Sequence, residues 1–311
     1  MPEEELPIHP AESGIFQGDD RLYMSLHLIL NGRSPLPPHS ATFLLHRKLH
    51  IIRAMQSKTT LRLNPAPELL LRLPGLRART AVRNHIIACE RCPRLRAYCQ
   101  KIGEVRRRAY MDEIYWSRPV PGFGDPAARV LILGLAPGAH GANRTGRPFT
   151  GDGAGYFMYP VLHQLGFANQ PRGVSRTDGL VLQDAWIASV VRCAPPGDKP
   201  LPQEIRNCSS HLAAEIDLLR RVQVVVCLGK IAFDGYLTHL HGREVVPRKS
   251  AYRFAHHAEY LLPNGLHLLA SYHPSLRNTN TGRLDEAMFA SVFLRARELA
   301  GLPPPPSFTN Q

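Results

Sequence analysis

A chain of 311 residues with 44% apolar content is long enough for one core of about 200 residues plus extensions. Its net charge of +13 rests on 32 arginines against 6 lysines, which favours a polyanion partner, most often nucleic acid, although GC-rich coding alone also enriches arginine. The longest apolar runs, such as VQVVVCLG, have strand length, and the acidic start MPEEELP lacks a signal-peptide pattern, so no membrane partner and a cytoplasmic location are expected.

Residues 1–80 read as a poorly organised extension. Prolines recur there (SPLPPHS, NPAPELL) and no period is sustained, although RLYMSLHLIL and ATFLLHRKLHIIRAM suit short helices. Met24 and Met55 are alternative starts. Residues 81–302 read as the folded domain, and 303–311 as a proline-rich tail. Four strand-like runs occur in that domain: RVLILGL (129–135), DAWIASVV (184–191), QVVVCLG (223–229) and LHLLASY (266–272). Helix-like stretches follow them: GAGYFMYPVLHQLG, PQEIRNCSSHLAAEIDLLRRV with Pro202 near its start, GKIAFDGYLTHL, and DEAMFASVFLRARELAG with Gly301 as a stop. The alternation predicts an α/β fold, a mainly parallel sheet covered on both faces. Ligands in such folds sit beyond the carboxyl ends of the strands. The unusual segments GLAPGAHG, RCAPPGDKP, GK and HPSLRNTNTGR each fall at such an end.

The cysteines read as a metal site. A cytoplasmic protein keeps its thiols reduced, so paired cysteines are better explained by metal than by disulfides. Cys89 and Cys92 form CERC, and Cys193 and Cys208 complete a four-thiolate set that suits either zinc or a [4Fe–4S] cluster. Cys99 is a spare, and Cys227 lies in an apolar strand as a small hydrophobe.

The segment GLAPGAHGANRTGRPFTGDGAG (134–155) matches neither a Walker loop nor a dinucleotide fingerprint. It offers backbone amides freed by glycine, the pair Arg144 and Arg147, and Phe149 near the lone carboxylate Asp152. Phe149 is either core or a flat surface on which a base stacks. A helix starting at GAGYFMY would favour an anion at its N-terminus. His273, at the end of the fourth strand, is either a structural turn residue or a donor to a ligand oxyanion, and the polar run beside it favours the second. Arg277, Asn278, Asn280, Thr281 and Arg283 look like phosphate contacts.

Taken in order, CERCPRL, GLAPGAHGANRTGRPFTGDGAG, VVRCAPPGDKP and HPSLRNTNTGRL resemble the type-5 uracil-DNA glycosylases that carry an iron–sulfur cluster. The resemblance runs from about residue 85 to 300 and leaves residues 1–80 unexplained. It implies a three-layer α/β/α fold with a central four-stranded parallel sheet. It also implies a [4Fe–4S] cluster on Cys89, Cys92, Cys193 and Cys208, and excision of uracil and other deaminated bases such as hypoxanthine from DNA, leaving an abasic site. By the same resemblance Phe149 stacks on the flipped base, His273 steadies charge growing on a base carbonyl, and the amides around Gly138 meet the base edge. Leu135 and Ala136 stand where related families place a water-activating side chain. Asp152 takes that role instead, with Asn143 a second polar candidate. Ser189 replaces an asparagine that reads uracil, which implies a looser base preference. The DNA contacts expected are Arg144, Arg147, Arg277, Asn278 and Arg283, and the chain is expected to be a monomer. A non-catalytic iron–sulfur DNA-binding protein on the same scaffold, or an enzyme on another nucleotide, is the competing expectation.

Overall fold

The computed structural model describes residues 75–305. The expectations for residues before 75 and for the tail beyond 305 lie outside the described residues.

Two helices lead the domain, α1 (Gly75–Ile87) and α2 (Pro93–Val105). α1 buries Ala78, Val82, His85 and Ile86, the four-then-three spacing that puts one stripe on one face. The boundary read at residue 81 therefore falls inside a helix that begins at Gly75. α2 starts on Pro93, directly after Cys92, where a missing N–H costs nothing. There follow β1 (Phe123–Gly124), β2 (Val130–Gly134), the short α3 (Ala142–Thr145), α4 (Gly153–Gln164) and β3 (Ala185–Ser189). Then come α5 (Pro202–Leu218), β4 (Val224–Leu228), α6 (Lys230–Gly242), β5 (Glu259–Leu261), β6 (His267–Ser271), α7 (Leu276–Asn280) and α8 (Glu286–Leu299).

The strands form one sheet in the order β1-β3-β2-β4-β6-β5. β3, β2, β4 and β6 are mutually parallel and are the four strands expected. The sheet is six-stranded, however, because the two-residue β1 and the three-residue β5 add antiparallel edges. Edges this short carry no period a sequence can display, and β1 lies in PGFGDP, which reads as a turn.

Alternation along the buried strands separates two cores. Val130, Ile132, Val224 and Val226 face α4 and α8, meeting Met158, Leu162, Phe289 and Phe293. Leu131, Leu133, Val225 and Cys227 face the other way, toward Leu95 of α2, Leu212 of α5 and Phe233 of α6. Both faces of the parallel strands are covered, which is why these runs are apolar throughout rather than alternating. The result is the α/β/α layering expected. α1 extends the second layer, packing Val82 and Ile86 on Ala214 and Leu218 of α5. No helix among the described residues is long and apolar enough to cross a membrane.

Candidate active site

Parallel pairing brings the strand ends to one edge: Gly134 sits opposite Ser189, and Leu228 opposite Ser271. The loops that leave these strands enclose a cleft of about 680 Å³. Leu135, Ala136, Gly138, Phe149, Asp152, Ser189 and His273 all line it, so seven residues read as site residues meet from three separate loops.

Asp152 is the N-cap of α4, and its Oδ1 accepts the Gly155 N–H at 2.9 Å. Its Oδ2 lies beside Gly138 and Gly141, and a Cβ at Gly141 would overlap the carboxylate. Glycine at 141 is thus the condition for the acid to enter the cleft. Burial pushes the Asp152 carboxyl above the usual range, against the N–H groups of Gly155 and Ala154 and the charge of Arg144, and with help from Asp198.

Phe149 is held with φ at 49° in the left-handed region. Its ring lies against the end of β2 where Gly134 has no side chain, since a Cβ there would come within 2.9 Å of the ring. The ring also meets the His273 imidazole at 5.8 Å between centroids, tilted by 33°. Burial lowers the His273 pKa to about 4 despite the opposing charge of Asp198, so the ring is neutral at pH 7 and carries one N–H donor and one acceptor. Asn278 donates its Nδ2 N–H to the His273 carbonyl at 2.8 Å and so holds this turn rather than facing open solvent.

Three residues are placed differently from expectation. Asn143 is fully buried and donates to the carbonyls of Cys99 and Ala139, both at 3.3 Å, so it braces the loop against α2 and does not line the cleft. Arg144 is buried too; it donates to the carbonyls of His140 and Gly151 at 2.8 Å, pairs with Glu113 and stacks on Tyr110. Arg147 forms a two-pronged pair with Asp178 at 2.8 Å and bonds Thr150. Both guanidiniums are occupied inside the fold, and that geometry leaves neither free for a phosphate. Arg277, in contrast, is exposed at the rim of the cleft. Arg283 is exposed over the Tyr272 ring at 4.5 Å and lines, with Asn278, an adjoining hollow of about 260 Å³.

Folding also brings in Asp198, which sequence reasoning missed. It lines the cleft from the PPGD turn with φ at 58°, and its charge reaches both Asp152 and His273. The one available signal was an acid in a strand-end loop.

Cys89, Cys92, Cys193 and Cys208 are all buried. Cys92 lies within the electrostatic reach of Cys89, Cys208 within that of both, and Cys193 within that of Cys208, so the four come from α2's approach, the β3 loop and α5 to one region. Burial pushes the Cys208 thiol up to about 11. Its sulfur accepts the Arg192 N–H at 3.3 Å, and Cys92 accepts from Asn207 at 3.5 Å. The Cys99 thiol lies beside Cys193 and faces the Ala194 carbonyl at 3.7 Å. Among the described residues no three His, Cys, Asp or Glu side chains stand close enough to hold one metal ion.

The sheet order and this strand-end cleft define a class. The family profile described as the uracil DNA glycosylase superfamily matches residues 121–297. The type-5 uracil-DNA glycosylase of Thermus thermophilus is 51% identical over 217 residues, which cover 70% of this chain and 96% of that protein. The type-5 enzyme of Mycobacterium tuberculosis is 45% identical over 218 residues, 70% of this chain and 80% of that protein. That of Pyrobaculum aerophilum is 43% identical over 218 residues, 70% and 92% respectively. The chain belongs to the type-5 uracil-DNA glycosylase family, whose members are hydrolases acting on N-glycosyl bonds.

Proposed function

We propose that the protein hydrolyses the N-glycosidic bond of uracil, and of other deaminated bases such as hypoxanthine, in DNA and leaves an abasic site. The observation that carries this reading is the meeting of Asp152, Phe149 and His273 in one cleft. A base inside a duplex is out of reach, so the target nucleotide turns out of the stack and enters the cleft. Phe149 offers the flat surface. As the C1′–N bond breaks, positive charge grows on the sugar and negative charge on the base. The neutral His273 imidazole donates its N–H to the base oxygen where that charge collects. Asp152, in its carboxylate form, accepts a proton from the water that attacks C1′, and its charge steadies the sugar cation. Its upward-shifted carboxyl suits a proton acceptor better than an ordinary aspartate. Ser189, with one hydroxyl, cannot present the paired donor and acceptor of an amide to a base edge, which supports acceptance of more than uracil.

The cysteine set suits a [4Fe–4S] cluster. Four buried thiols with N–H donors aimed at two of their sulfurs are the donor chemistry of thiolate ligation. A cluster spreads its ligands over four irons and so does not need the spacing of a single ion. Cys89, Cys92, Cys193 and Cys208 would hold it, and it would cross-link the start of α2 to the RCAPP loop and α5. The neighbouring turn carries Asp198 into the cleft, so a cluster held there would order the site.

The test is incubation of the purified protein with labelled oligonucleotides bearing a single uracil or a single hypoxanthine, followed by alkali. A strand break at the modified position is expected with both. No break with either would overturn the proposal, and a break with uracil alone would overturn its extension to hypoxanthine.

A further inference from the structure

With Arg144 and Arg147 turned inward, the catalytic loop presents no free cation of its own on the β3 side of the cleft. The segment 106–118 stands there instead. β1 runs antiparallel to β3, so the chain before β1 passes the carboxyl end of β3: the Val120 N–H donates to the Arg192 carbonyl at 2.7 Å, and Val120 itself lines the cleft. This strap is bonded to the catalytic loop along its length. Trp116 N–H donates to the Arg144 carbonyl at 2.8 Å and Ser117 N–H to that of Asn143 at 3.0 Å. The Tyr115 hydroxyl bonds His140 Nδ1 at 3.0 Å, and Glu113 pairs with Arg144. The strap is therefore fixed relative to the site.

Its outer face is basic with an apolar tip. Arg107, Arg108 and Arg118 are exposed, and their side chains make no hydrogen bond or ion pair among the described residues; Arg118 lies over the Trp116 ring at 6.0 Å. Arg176, also exposed, stacks on Trp116 at 4.4 Å. Glu113 is neutralised by Arg144, leaving Asp112 as the acid on this face. Ile114 is 90% exposed and Met111 is 50% exposed, so Ile114 buries almost none of its side chain in the fold and Met111 about half. Exposed arginines without an acidic partner around an exposed aliphatic side chain match what duplex DNA takes when a nucleotide leaves its stack: cations on the phosphates and an apolar wedge at the vacated step.

We propose that the 106–118 strap is a DNA-contacting element, with Arg107, Arg108 and Arg118 on phosphates beside the lesion and Ile114 entering the base stack of the duplex. The proposal rests on the glycosylase reading for the lesion, but not for the affinity of the strap for DNA. A wedge acts only where there is a stack to hold open, so it affects double strands and spares single strands.

The full-length protein, Ile114→Ser and the double variant Arg108→Ala/Arg118→Ala are compared by single-turnover excision on one uracil oligonucleotide, as a single strand and as a duplex. Affinity for undamaged duplex is measured against salt. Ile114→Ser is expected to slow duplex excision by about tenfold and leave single-strand excision unchanged, because unstacking costs a few kcal/mol per step. The double variant is expected to flatten the slope of log affinity against log salt by about 1 to 2, at about 0.9 per phosphate contact. An unchanged duplex-to-single-strand ratio for Ile114→Ser, whether from no loss or from equal loss on both substrates, overturns the wedge. An unchanged slope overturns the arginine contacts. Absence of excision by the parent protein on either substrate would sink the glycosylase reading, while the slope on undamaged duplex would still decide the strap.

Discussion

Replacing Asp152 by asparagine separates the capping bond that the side chain makes from the proton-accepting role proposed for it. As the N-cap of α4 it supplies Oδ1 to the Gly155 N–H at 2.9 Å, and the amide oxygen of asparagine can accept the same bond. Asparagine and aspartate cap equally well, so stability should change by no more than about 0.5 kcal/mol, whereas alanine should cost about 1 kcal/mol. In a domain of this size that is a drop in Tm of about 2–4 °C for alanine and less for asparagine. The chemistry behaves differently. An amide cannot take a proton from water, and loss of a general base costs about 10²- to 10⁴-fold, or about 2.7–5.4 kcal/mol of barrier. Single-turnover excision and thermal melting measured together should show Asp152→Asn folded and slow. The parent's pH profile carries the matching signature. Burial raises the Asp152 pKa, so its charge is lost as pH falls through a value above the ordinary aspartate figure of about 3.9, and excision should decline on that acid limb. Asparagine should remove the limb's Asp152 step. A variant that excises within about threefold of the parent would refute the assignment of a proton-accepting role, which is the step that sets the 10²-fold lower bound.

The remaining predictions concern specificity, packing and the thiols. Ser189→Asn should raise the ratio of uracil to hypoxanthine excision, measured on otherwise identical duplexes; an unchanged ratio would remove Ser189 from base recognition. Arg147→Met should destabilise the fold by about 3–5 kcal/mol in urea unfolding, because it strands Asp178 in a site only 8% exposed. Burial alone would push the Asp178 carboxyl up, but Arg147 and three backbone N–H groups hold it well below the usual range. A Tm equal to the parent's, with weaker DNA binding, would restore Arg147 to the DNA-contacting role read from the sequence. Cys193→Ser should yield protein with less iron per chain and weaker absorbance near ~400 nm; full iron content would strike Cys193 from the ligand set.

How far the sequence could be read follows from what each signal reports. The four parallel strands are continuous apolar runs because both their faces are covered, and such runs are plain in a sequence. β1 and β5 are too short to have a pattern, and their existence depends on a neighbouring strand edge. The convergence of Asp152, Phe149 and His273 was readable because loops at the carboxyl ends of parallel strands must meet. The fate of an arginine was not. Residue type marks Arg144 and Arg147 as phosphate ligands, but Glu113, Asp178 and a set of backbone carbonyls that claim them come from distant positions. The same holds for Asn143, whose partners belong to Cys99 and Ala139, and for Asp198, an ordinary loop acid until its turn places it over the cleft. The basic strap is not legible in the sequence, because its arginines sit in no amphipathic helix or strand and only the register of β1 on β3 carries them to the site.

The most direct measurement is a crystal structure of Asp152→Asn bound to a duplex with one uracil. The flipped uracil should lie on the Phe149 ring, within the cleft bounded by Ala136 and Ser189, with a carbonyl oxygen in hydrogen-bond reach of the His273 imidazole and C1′ facing residue 152. A uracil left stacked in the duplex, or bound away from Phe149 and His273, would contradict the assignment of this cleft as the place where the bond is cut.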